Sequence, residues 1–282
     1  MRARTAVAAG IAAAVMLGSG GAAAEAPAQD CVDGAAFRYC GEHVPAGLLP
    51  LRFMVNLASA PANLRDDPKF GDEVQPAIAA AAAEWNRYWP INRGSVGCEG
   101  LCGDGETSAQ ILRDGQNTIS WGAPASCPGG TTNTIAIACL YYEGSTKRII
   151  EVDIVLNAQK SWRYPHASLG GQDGRSELAA DNPQDVVIGE AGGVFPSPAL
   201  NPTGSASWYD VESVLAHEFG HALGLEDIGN PTQEWPGALS DSAIYTETMY
   251  RWYYPRTTNK RTPGPGDIAG LQLAARDSQS DR

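Results

Sequence analysis

Basic side chains are scarce in this chain: 20 lysines and arginines stand against 32 aspartates and glutamates, a net charge of −12 over 282 residues. A surface for nucleic acid needs the opposite balance, so no such partner is expected. Long apolar runs are missing too. Beyond the N-terminal region no stretch is long enough to cross a bilayer, so no membrane partner is expected once that region is removed. Histidine is rarer still, with four in all: His43, His166, His217 and His221. No internal repeat or separate C-terminal module is visible, which leaves a single main domain as the simplest organisation.

The N-terminal region has a character of its own. Arg2 and Arg4 precede an alanine-rich apolar centre from Ala6 to Leu17, and Ala22-Ala23-Ala24 stands before Glu25. A positive start, a short apolar segment and small residues at the end describe a secretory signal peptide. We expect residues 1–24 to be this signal, 25–50 a short leader and 51–282 the main domain, released outside the cell as a monomer. Losing Arg2 and Arg4 leaves 18 basic residues against 32 acidic ones, a charge of −14. Six cysteines in an exported chain imply three disulfides. Fifteen connectivities are open, and neighbours in sequence give Cys31 with Cys40, Cys98 with Cys102 and Cys127 with Cys139. All six precede the histidine pair at 217 and 221, which argues against a cysteine nucleophile.

Periodicity divides the rest. Leu51 to Leu57 reads as a first strand. From Asp72 to Trp89, Val74, Ile78, Ala81, Trp85 and Trp89 recur at helical spacing, with Pro76 near the start and Pro90 at the stop. Strand-like runs follow at Thr118–Trp121, Thr134–Glu143 and Ile149–Asn157. Between Ala158 and Trp208 lies a Gly/Pro/Ser/Asp-rich stretch, either a cleft rim or a loop remote from it. The order of strand, long helix, several strands and two later helices is an α+β pattern.

The run His217-Glu218-Phe219-Gly220-His221-Ala222-Leu223-Gly224-Leu225-Glu226-Asp227 carries the chemistry. Residues four apart on an α-helix differ by about 40° around the axis, so His217 and His221 leave one face and can hold one ion. Zinc accepts such imidazole pairs. Glu218 falls beside the ion, where it can hold a water. Gly224 is suited to a helix stop, and Asp227 beyond it offers an oxygen ligand. Glu226 is the alternative carboxylate. Three protein ligands leave a fourth position open, which points to catalysis. Asp210 is suited to cap the helix, while Val211, Val214, Leu215, Ala222 and Leu225 give it an apolar face.

This run is similar to the long zinc motif of the metzincin peptidases, with Ser213-Val214-Leu215-Ala216 leading in as in the matrixin group. Thr248-Met249-Tyr250 resembles the Met-turn that sets a methionine beneath the histidines, and Asp267-Ile268-Ala269-Gly270-Leu271-Gln272 resembles the start of the last matrixin helix, with Asp267 able to cap it. An aspartate as third ligand resembles snapalysin-type bacterial proteases. The resemblance implies a single catalytic domain with a twisted mixed sheet, a long N-terminal helix, a zinc-binding helix and a C-terminal helix. It implies one catalytic Zn2+ held by His217, His221 and Asp227, with Glu218 as general base of a secreted endopeptidase acting on extended peptide. The peptide is expected beside the strand near Asp153–Asn157. His43 and His166 cannot supply a second zinc site.

Calcium is also implied, with Asp173, Asp181 and Asp185 either binding it or forming a solvated acidic loop. Arg38-Tyr39-Cys40-Gly41 resembles a cysteine switch, against the even cysteine count. Tyr250-Arg251-Trp252-Tyr253-Tyr254-Pro255 departs from the matrixin pattern, and its aromatics either line a pocket or pack on the core. The competing readings are a gluzincin peptidase and a secreted zinc-binding recognition or adhesion protein whose peptidase site is a relic; the intact Glu218 speaks against the latter.

Overall fold

The computed structural model describes residues 31–33, 36–89, 96–97, 113–144, 146–164, 187–188, 194–195, 208–228, 247–251, 253, 255 and 257–281. The signal segment 1–24, the Cys98–Cys102 pair, His166, the calcium candidates Asp173, Asp181 and Asp185, and most of the 158–208 stretch lie outside them.

Among the described residues the strands are β1 (Val32–Asp33), β2 (Arg38–Tyr39), β3 (Leu51–Asn56), β4 (Val96–Gly97), β5 (Asn117–Gly122), β6 (Ala136–Tyr142), β7 (Ile149–Asn157), β8 (Ser161–Arg163), β9 (Val187–Ile188), β10 (Val194–Phe195) and β11 (Trp208–Asp210). The helices are α1 (Ala62–Arg65), α2 (Phe70–Tyr88), α3 (Val211–Ala222) and α4 (Pro265–Ser280). The fold is α+β, and its main sheet is mixed, in the order β4-β3-β5-β7-β6. Strands β4, β3, β5 and β7 are parallel to their neighbours, and only β6 runs antiparallel, paired to β7.

β7 is therefore an interior strand, with β5 on one side and β6 on the other. This corrects the expectation that Asp153–Asn157 borders the peptide, because its backbone groups are already paired. The sheet ends at β6. Asn157 donates its N–H to the Ile135 carbonyl, and antiparallel pairing alternates every residue. Ile137, Cys139 and Tyr141 thus exchange bonds with β7, while Ala136, Ala138 and Leu140 turn theirs outward. No described strand covers that outer side.

Alternation also sorts the side chains. Val152, Ile154 and Leu156 join Phe53, Val55, Ile119 and Trp121 in a core shared with Val74, Ile78 and Trp85 of α2 and Val214, Leu215 and Phe219 of α3. Phe53 and Phe219 meet at 5.3 Å between ring centroids. The Trp85 indole N–H donates to the Ala216 carbonyl at 2.7 Å, which fixes α2 against the turn that bears His217. On the other face, Ile137 and Tyr141 pack with Val155 over the Cys127–Cys139 disulfide.

Two carboxylates are buried on that far face. Glu151 accepts the N–H groups of Asp114 and Gly115, and Asp153 accepts that of Thr118 at 3.1 Å. Burial, reinforced by the charge of Glu151, pushes the Asp153 carboxyl from 3.8 up to about 7. The folded protein then keeps a proton that the unfolded chain releases near the ordinary value, so this group's contribution to stability falls as pH rises from about 4 to about 7. Asp153→Asn keeps the acceptor and removes the charge. We expect its melting temperature to exceed the parent's at pH 8 and to equal it at pH 3.5; an equal difference at both would contradict the titration.

The described part of the leader packs against the main domain. Tyr39, Cys40, Val44 and Leu49 are buried, Cys40 is bonded to Cys31, and Ile149 donates its N–H to the His43 carbonyl. A disulfide-bonded, buried Cys40 has no thiolate to offer a metal, so the cysteine-switch reading is overturned. His43 lies between the Gly41 carbonyl and Asp281.

Candidate metal centre

Helix α3 starts as its sequence requires. The Asp210 side chain accepts the Ser213 N–H at 3.0 Å, and Arg261 clamps the same carboxylate through Nε and Nη2 at 2.8 and 3.0 Å. The helix ends in a Schellman arrangement: Leu225 N–H bonds the Gly220 carbonyl and Gly224 N–H that of His221. Gly224 has φ +96, and a Cβ there would fall 1.8 Å from the Glu42 carbonyl oxygen. Both facts demand glycine: a side chain is strained in this conformation, and the leader passes too close.

Past this stop the chain is held on both sides of Asp227. Glu226 N–H donates to the Arg38 carbonyl in β2, and Ile228 pairs with the Met249–Arg251 turn through its N–H and carbonyl. The leader therefore helps aim the third candidate ligand. The nearest side-chain nitrogen and oxygen of His217, His221 and Asp227 all lie within 4.8 Å of one another. Asp227 Oδ1 is 3.2 Å from His217 Nε2 and 3.6 Å from His221 Nε2. Glu226 is not in this group. Its charge adds to burial, the larger cause, in raising the Glu42 carboxyl.

Both imidazoles are oriented from behind. His217 Nδ1 meets the Thr248 carbonyl and His221 Nδ1 the Leu225 carbonyl, each at 2.7 Å. A carbonyl oxygen only accepts, so each Nδ1 carries the proton and each Nε2 is left facing Asp227. With neutral rings, three lone-pair donors converge on one point, and the buried Asp227 Oδ1 has no hydrogen-bond partner. Such a set is repulsive unless a positive charge enters. Without a metal the charge can come only from protons. Burial opposes a charged His221, but the carboxylate of Asp227 outweighs it and carries the ring up to about 10. Burial likewise opposes ionised Asp227, yet the two imidazoles hold its carboxyl well below the ordinary value. A dication answers the same field, and two nitrogens with one oxygen suit zinc. The residues fit that ion.

Glu218 leaves the helix beside this point, almost fully buried, with Oε2 unpartnered. Burial pushes its carboxyl up, against the fields of the two histidines and the N–H of Ala138 on β6. That contact agrees with the outward-facing Ala138 N–H derived from the ladder. The carboxylate thus sits between the candidate metal point and the outer edge of β6.

The floor of the site is equally close-packed. A Cβ on Gly220 would lie 2.1 Å from Met249 Sδ and 2.9 Å from Trp85 Cζ2. Met249 therefore rests directly on the helix between the two histidines. Gly264 holds the cap position of α4, and Asp267, the third residue of the helix, helps cap it by accepting the Gly264 N–H at 2.8 Å. The Asp267 carboxylate accepts the N–H groups of Gly264, Thr248 and Met249, so it braces the turn whose carbonyl holds His217. Glu247 in turn accepts the Gly266 and Asp267 N–H groups. Of the aromatic run 250–255, Tyr250 is buried in the core and Tyr253 sets its ring edge-on to His217, 6.1 Å between centroids. Trp252 and Tyr254 lie outside the described residues.

Sequence spacing could find the candidate ligands His217, His221 and Asp227, the candidate base Glu218 and Met249. It could not find the carbonyls of Thr248 and Leu225, the brace from Asp267 or the Ala216 anchor, since none leaves a pattern in residue type. No family model matches this chain, and no curated protein matches it.

Proposed function

We propose that this chain is a secreted zinc-dependent endopeptidase with a metzincin-like catalytic domain. The observation that carries the reading is the buried Glu218 standing between three converging ligand atoms and the outer edge of β6, which no described strand covers. His217 Nε2, His221 Nε2 and Asp227 Oδ1 would hold the ion, and the open side of the set suits catalysis better than scaffolding. Zinc bound there supplies the positive charge that polarises a scissile carbonyl and makes water more acidic.

The chain's own residues do the rest. An extended peptide adds to β6 through the outward N–H and carbonyl groups of Ala136 and Leu140 and the carbonyl of Ala138, whose N–H is held by Glu218, which gives sequence-tolerant main-chain binding. Glu218 takes the proton of the attacking water and delivers it to the leaving nitrogen. Thr248 and Leu225 keep the imidazoles in the tautomer that presents Nε2.

Export is supported by two described disulfides; among the described residues no helix is long and apolar enough to cross a membrane. The direct test is hydrolysis of fluorescently labelled casein by the chain lacking residues 1–24. We expect cleavage that 1,10-phenanthroline abolishes and added zinc restores. Zinc-loaded protein inert on casein and on a diverse peptide library would reject the peptidase reading in favour of recognition.

A further inference from the structure

Lys260 is the anomaly of the site's surroundings: a lysine only 1% exposed. Its Nζ donates to the Tyr250 carbonyl, not to a carboxylate. The same ammonium lies 4.6 Å from the Tyr253 ring centroid and 5.3 Å from that of Tyr250. Its backbone carbonyl accepts the Thr248 hydroxyl, which also reaches the Thr262 carbonyl. Burial pulls the ammonium down to about 7 against the fields of Asp227, Asp267 and Glu218. A lysine here therefore costs the fold stability, and an apolar side chain of the same length would be the cheaper core residue.

What the lysine touches suggests why it is there. Thr248 supplies the carbonyl that orients His217; Tyr250 closes the same turn; Tyr253 packs on the His217 ring. We propose that Lys260 is a positioning residue for His217, cross-linking both ends of the Met249 turn to the aromatic ring that abuts the imidazole. The inference rests on the metal-site reading above. Lys260 acts through Thr248, Tyr250 and Tyr253 and need not touch metal or substrate. It fixes the direction in which His217 Nε2 points, as outer partners of metal-binding histidines do.

The test is titration of metal-free protein with Co2+, followed by visible absorption, for the parent and Lys260→Met. Methionine fills the volume without a donor or a charge. We expect the variant to keep its far-UV circular dichroism and to melt no lower than the parent. Its Kd for Co2+ should nevertheless rise by about tenfold or more, with an altered cobalt spectrum. A purely structural lysine would lower melting temperature and affinity together. Parent-like affinity and spectrum in a folded Lys260→Met overturn the proposal.

Should Lys260→Met fail to fold, Lys260→Gln keeps a polar group of similar length near the Tyr250 carbonyl and removes the charge that faces the two rings. Weakened Co2+ binding in that folded variant supports the proposal, and unchanged binding rejects it. A parent protein that takes no Co2+ at all sinks the metal-site reading itself, an outcome distinct from a parent that binds and a variant that matches it.

Discussion

Glu218→Gln should lower kcat/KM on a fluorogenic peptide by about 100- to 10,000-fold, the usual contribution of a general base, while zinc stays bound. Glutamine has the same shape and fills the same buried space, but it cannot accept the proton from water. The side chain is 4% exposed and burial already disfavours its charge, so a neutral replacement does not harm the fold. Metal content by atomic absorption should match the parent, and the melting temperature should be equal or higher. A zinc-loaded Glu218→Gln protein that keeps even a tenth of parental turnover would falsify the assignment of the base.

Asp227→Ala should act on the other half of the site. It removes the oxygen that faces both Nε2 atoms at 3.2 and 3.6 Å, leaving two imidazoles for the ion. Altering an outer partner typically weakens metal binding about 10- to 100-fold, and loss of a direct ligand should exceed that range. Competition with a calibrated zinc chelator gives the Kd. Glu226→Ala is the control, because that neighbour lies outside the converging set. If Glu226→Ala released the metal and Asp227→Ala kept it, the ligand assignment would be reversed. The two main variants thus separate holding the ion from moving the proton.

A second contrast lies in the sheet. Ile149–Asn157 is legible as a strand from its composition, and it is one, at the same bounds. Its place in the sheet was not legible. A run buried on both faces gives no sign of whether one edge or both are paired, and only the neighbours β5 and β6 make β7 interior. Among the described residues the outer edge belongs to β6, whose residues from Ala136 to Tyr142 are mostly half-buried. The leader shows the same limit. Short strands at Val32–Asp33 and Arg38–Tyr39 have little propensity signal, yet Tyr39 reaches the core and the Arg38 carbonyl anchors Glu226.

The sequence by itself determined what depends on near neighbours along the chain. Histidines four apart share a helix face, Asp210 caps that helix, Gly224 ends it, and Cys31–Cys40 and Cys127–Cys139 close short loops. Each follows from backbone geometry over a few residues. Tertiary structure decided what depends on segments far apart meeting. Thr248 orients His217, Met249 fits against Gly220, Asp267 braces the turn, and Lys260 lies beneath Tyr253. The physical reason is that a backbone carbonyl or a missing Cβ is the same in any residue or any glycine; its partner exists only once close packing brings the two segments together.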